Sequence, residues 1–142
     1  MSYRFEQQLR KPVSKYLKKR DFDIQHTEMP FYEYRIDLYA YSADQDQTIA
    51  IELKLDKWSR AIEQALLYQL CSDLVYIAMP ASKAIKINKS ALKQHGLGLL
   101  SVSARGCEEI ISPNQSTVTR KHYRQAYLEV LNEGTRNAIK HS

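Results

Sequence analysis

The chain has 142 residues, 44% of them apolar and 26% charged, which is ordinary for a globular domain and excludes a disordered or collagen-like chain. No apolar run approaches the roughly 20 residues that span a bilayer, the start Met-Ser-Tyr-Arg-Phe-Glu-Gln-Gln lacks the apolar stretch of a secretion signal, and Cys71 and Cys107 are too few for a disulfide scaffold. The net charge of +5 is uneven: +6 over residues 1–20, −7 over 21–56 and +6 over 57–142, so basic flanks suited to a polyanion enclose an acidic island suited to cations.

These features lead us to expect one cytoplasmic domain over residues 1–142, with no membrane partner. Phe5, Leu9, Val13, Tyr16 and Leu17 recur at helical spacing and predict an amphipathic helix over 3–20. Pro12 lies inside that span and predicts a kink or two shorter helices. Three strands are predicted next: Phe22 to Met29, Tyr34 to Tyr41 and Thr48 to Leu55. A polar turn over 42–47 separates the last two, and the tight spacing implies an antiparallel meander.

Ser59 is placed to cap a helix reaching Cys71. Leu74-Val75-Tyr76-Ile77-Ala78 is a continuous apolar run, expected to be a strand buried on both faces and ended by Pro80. A single helix is predicted from Ser82 to His95 with Gly96 as its stop. Strands at Leu97 to Val102 and Glu108 to Ser112 follow, then a helix over about 119–131. The fold class read from this order is α/β, a mixed sheet flanked by helices.

The chemistry concentrates in Ile49-Ala50-Ile51-Glu52-Leu53-Lys54-Leu55. Alternation sends Ile49, Ile51, Leu53 and Leu55 to one face and Glu52 and Lys54 to the other. A carboxylate and an ammonium on so apolar a strand are costly unless paired with each other or with a ligand. A solvent-facing ion pair is the plain alternative. Asp37, between Ile36 and Leu38 on the preceding strand, repeats the pattern. If the strands pair, Asp37 and Glu52 converge, and two converging carboxylates repel unless a cation such as Mg²⁺ lies between them. Lys54 is then placed to hold a water or to steady developing negative charge.

Asp37 on one strand, Glu52-Leu53-Lys54 on the next, then a helix around 61–71 and a strand over 73–78: in this order the sequence resembles the PD-(D/E)XK nuclease superfamily. The resemblance covers a core of about 3–103 and leaves a C-terminal helical extension of about 113–142 unmatched. Arg35-Ile36 stands where that family often carries a proline. What the resemblance implies is a restriction-endonuclease-like αβββαβ core and a metal-dependent endonuclease that hydrolyses phosphodiester bonds in DNA. Asp37 and Glu52 would ligate Mg²⁺ or Mn²⁺, with the Leu53 carbonyl as a further ligand, and Lys54 would position the attacking water. Glu6 on the first helix and Gln64, or failing it Gln69, on the helix after the lysine match further family positions.

Each supporting residue also has a plainer reading. Glu6 reads equally as a first-turn helix acid, Gln64 and Gln69 as surface helix residues, Tyr39 and Tyr41 as strand packing, and Trp58 as a core anchor. Lys11, Lys15, Lys18 and Lys19 on the first helix suit a phosphate backbone, as do the spaced Lys83, Lys86, Lys89 and Lys93, and Arg120, Lys121 and Arg124. His26, His95, His122 and His141 show no zinc spacing, and His95-Gly96-Leu97-Gly98 is no phosphate-cradling loop. The runner-up function is a catalytically inactive nucleic-acid-binding or assembly module on the same fold. Cutting both strands of a duplex would call for a homodimer.

Overall fold

In the computed structural model the first amphipathic segment is one helix, α1 (Gln7–Lys19), with Leu9, Val13 and Leu17 buried along one face. The structure describes residues 3–140, with side chains through residue 134; His141 lies outside them. Pro12 does not split the helix, which corrects the expectation of two. The carbonyl that Pro12 leaves without a donor belongs to Gln8, one turn earlier. Gln8 and Pro12 both line a groove on the surface of the molecule.

Three strands follow, β1 (Ile24–Phe31), β2 (Tyr34–Ser42) and β3 (Gln47–Leu53). After them come α2 (Trp58–Tyr68), β4 (Leu74–Pro80), α3 (Ala81–Ala84), α4 (Lys89–Gln94), β5 (Gly98–Ser103), β6 (Gly106–Ile111) and α5 (Lys121–Lys140). All six strands form one sheet in chain order. β1, β2 and β3 pair antiparallel, β3, β4 and β5 parallel, and β5 and β6 antiparallel. The fold is mixed α/β, a six-stranded sheet flanked by helices.

Two apolar layers sandwich the sheet. Leu9, Val13 and Leu17 of α1 pack on Leu38, Ala40, Ile49, Ile51 and Leu53. Ala61, Ala65 and Tyr68 of α2 pack with Tyr39, Ala50 and Ile77 on the other face, where Leu128 and Leu131 of α5 join them. β3 therefore alternates as its sequence predicts. β2 does not: Ile36 belongs to the α2 layer while Leu38 and Ala40 belong to the α1 layer. Strict alternation would keep the three together, so the strand turns over at Asp37, beside Glu28 with its φ of +56°.

The expected helix over 82–95 is two short helices. Ile87 turns inward, and Asn88 starts α4 afresh by accepting the Ala91 N–H at 3.2 Å. Lys83 thus lies on α3, Lys86 in the turn between the helices and Lys89 and Lys93 on α4, so the four make no continuous stripe. Gly96, at φ +72°, ends α4 as expected, with the Leu97 N–H closing on the Leu92 carbonyl at 2.9 Å. α5 runs on to Lys140 rather than ending near 131. Among the described residues no helix is long and apolar enough to cross a membrane.

Candidate active site

The sheet register brings the acidic residues together. Leu38 pairs with Ile51, so Asp37 lies across from Glu52. Thr27 pairs with Leu38 and Met29 with Ile36, so Glu28 lies across from Asp37. Glu28, Asp37 and Glu52 therefore occupy one row over three neighbouring strands, each about 4.8 Å from the next. The row lies at the C-terminal end of β3, where the chain leaves the sheet.

Backbone contacts fix this end. The Leu53 N–H donates to Asp37 Oδ2 at 2.8 Å, and the Lys54 N–H donates to the Ala78 carbonyl at 2.9 Å. Lys54 sits just past the last residue of β3 rather than within the strand. Leu53 meets Asp37 through its N–H, while its side chain is buried under α1. A cavity of about 360 Å³ opens here, lined among others by Arg4, Glu6, Arg10, Glu28, Asp37 and Leu53.

Glu52 is only 5% exposed. Burial first, and then the neighbouring Asp37 carboxylate, push its pKa up to about 9, with Lys54 pulling the other way. Burial also raises the pKa of Asp37, against the pull of the Leu53 N–H and of its hydrogen bond with Glu52. The two carboxyls lie within hydrogen-bonding reach of each other, and both are pushed above the usual carboxyl range. Two charges so close in a buried site cannot both persist; one proton holds the pair together. Tyr68 Oη lies 3.4 Å from Glu52 Oε1 and donates to the Arg35 carbonyl at 3.2 Å.

Glu6 is the N-cap residue of α1, yet its side chain makes no capping hydrogen bond. Its carboxyl is raised by burial, lowered by Lys54 and raised by Asp37, so it sits within electrostatic reach of both. Glu6, Asp37, Glu52 and Lys54, from three separate chain segments, thus share one corner of the fold. Among the described residues no group of three or more His, Cys, Asp or Glu side chains is arranged to hold a metal ion. The tight carboxylate set is the pair Asp37 and Glu52. Those two and a main-chain carbonyl are hard oxygen donors, and the proton they share is what a hard divalent cation displaces. The donor set therefore fits Mg²⁺ or Mn²⁺.

Gln64 stands one turn before Tyr68 on α2 but makes no hydrogen bond to these groups; its Oε1 is buried without a partner. Gln69 is structural. Its amide donates to the His95 carbonyl at 2.9 Å, and its own carbonyl accepts from Ser116 and Thr119. Tyr39 is buried and donates to the Cys71 carbonyl, Tyr41 reaches Asp46, and Trp58 packs against the α2 layer. Arg124 is committed to Asp73 and Asp46, so it is not free for phosphate. Lys11, Lys15 and Lys19 line the groove beside α1 and Lys18 does not.

Three neighbours escaped sequence reasoning. Glu28 was reachable by counting the register back from the β1–β2 turn. Arg10, which pairs with Glu28 at 2.6 Å, and Tyr68 carry no local signal. They arrive on α1 and α2 by tertiary packing.

No protein-family model matches the chain, and no curated protein matches it. A solved structure described as a protein of unknown function from Silicibacter pomeroyi is similar in fold, with a TM-score of 0.73 at 16% identity. The match covers 99% of this chain and 92% of that one. At this identity the likeness concerns the fold alone.

Proposed function

We propose that the protein is a Mg²⁺- or Mn²⁺-dependent phosphodiesterase of the PD-(D/E)XK type acting on DNA, on a restriction-endonuclease-like core. The observation that carries this reading is the buried Asp37–Glu52 pair with Lys54 and Glu6 beside it. The element order α1-β1-β2-β3-α2-β4 supports it, being the order expected of that core.

In this reading Asp37, Glu52 and the Leu53 carbonyl hold the ion. A bound divalent cation supplies polarisation of the scissile phosphate and a lowered pKa for its water. Lys54 orients the water or balances negative charge in the transition state. Glu6 accepts a proton or a hydrogen bond from water, and Arg4 stands in the cavity wall where a phosphate would enter. Tyr68 holds Glu52 in place.

The absence of a third tight carboxylate among the described residues favours a second reading, a nucleic-acid-binding module that does not cleave. Incubation with plasmid, linear and branched DNA in Mg²⁺ or Mn²⁺ separates the two. Nicking that disappears in Glu52→Ala and Lys54→Ala is the result expected of the hydrolase. Binding at low salt without nicking in either metal would establish the second reading, and nicking retained by both variants would remove the site assignment.

A further inference from the structure

α1 has two working flanks. One carries Glu6 and Arg10 to the acidic row. The other carries Lys11, Lys15 and Lys19, which face the β5–β6 turn across a groove of about 520 Å³. Arg105 stands on the far wall, and Tyr3 and Tyr16 lie between. The three lysines repeat every four residues and so rise about 6 Å per step along the helix. Among the described residues none of the four cations has an acidic partner; the ion pairs of the molecule use Arg10, Arg20 and Arg124 instead.

A second depression, of about 300 Å³, shares Tyr3, Ser103, Ala104 and Arg105 with this groove. It continues over Pro80 and Val102, at the C-terminal ends of β4 and β5. β3, β4 and β5 are parallel neighbours, so the end of β3 with Glu52 lies about 10 Å from the end of β5. The groove and the acidic site thus open along one edge of the sheet. Tyr3 stands in the groove and the next three residues, Arg4 to Glu6, stand in the acidic cavity.

We propose that this groove binds an unpaired polynucleotide strand without regard to sequence and leads it toward the acidic row. The proposal rests on the phosphodiesterase reading only for what lies at the end of the path. A row of exposed cations in a cleft tracks a phosphate backbone, and Tyr3, half-buried in the same cleft, offers a ring for base stacking, the Tyr16 ring being taken by the Arg20 guanidinium 5.5 Å from its centroid. A duplex presents its phosphates on a broad convex surface, which a cleft walled on both sides meets only at its rims. A single strand fits inside.

Fluorescence anisotropy with labelled oligo(dT) of about 12 nucleotides, against a hairpin duplex of equal charge, tests this in EDTA, where no cleavage intervenes. Four phosphate contacts on a single strand give a salt slope of about −3, or roughly 50-fold weaker binding between 50 and 200 mM salt. K11Q/K15Q should reduce that change to about sevenfold. Tyr3→Leu should weaken the strand about tenfold, with the duplex little affected. Tighter binding of the duplex, equal binding by K11Q/K15Q, or no binding at the lower salt overturns the groove. Plasmid nicking by the same variants in Mg²⁺ judges the hydrolase reading separately, because the lysines do not touch the Asp37–Glu52 pair.

Discussion

Glu52 sets how stability responds to pH. Its folded pKa of about 9 stands far above the ordinary glutamate value of 4.5, so between those values the folded chain holds a proton that the unfolded chain has lost. Its contribution to stability is complete below about pH 4.5 and is lost as pH rises through 9. Without divalent cations, chemical denaturation of the wild type from pH 5 to 9 should show declining stability, with a shallower decline in Glu52→Gln. At pH 8 and above, that variant should be the more stable of the two. A steeper decline in Glu52→Gln would reverse the assignment of the proton. Tyr68→Phe removes the phenol beside Glu52; with plasmid as substrate it should lower nicking several-fold and shift the pH profile while leaving the fold intact. The inward turn of Glu52 was legible from alternation on a strand of isoleucines. Glu28 joins the acidic row through the β1–β2 register, and its positive φ is a feature that no period-2 pattern announces.

At the scale of elements, the sheet depends on contacts that the sequence does not advertise. Gly98 lies against the Tyr76 ring: a Cβ there would come within 2.6 Å of Tyr76 Cδ1 and 2.9 Å of Pro113 Cδ. Tyr76 cannot move aside freely, since Arg20 donates to its hydroxyl at 2.9 Å and it donates in turn to Glu109. Gly98→Ala should therefore cost about 2 kcal/mol by overpacking, read as a lower urea midpoint. α5 is held by Asp73, which accepts from the Thr48 N–H at 2.8 Å, Thr48 Oγ1 at 2.9 Å and Arg124 Nε at 2.9 Å. Asp73→Ala strips three donors of their acceptor and should cost about 3 kcal/mol in the same measurement. The order of strands and the α4 stop could be read from apolar runs, turn residues and Gly96, whereas α2 ends at Tyr68, short of the expected Cys71. The break between α3 and α4 could not, because Ile87 is drawn inward by a core that local propensity does not describe.

For the whole molecule, the charge pattern proved more informative than its total. The acidic island of residues 21–56 folds into β1, β2 and β3, and the register of those strands brings three of its acids, Glu28, Asp37 and Glu52, into one row at the end of β3. The basic start of the chain becomes α1, which lies across that edge with an acid-facing flank and a cationic flank. In the proposed phosphodiesterase reading, a divalent cation would take the place of the proton shared by Asp37 and Glu52. Calorimetric titration with Mg²⁺ or Mn²⁺ near pH 7.5, in two buffers of different ionisation enthalpy, reads that exchange directly. Binding should release about one proton per ion, and that release should be lost in Glu52→Gln. No binding, or binding whose proton release survives Glu52→Gln, would contradict it.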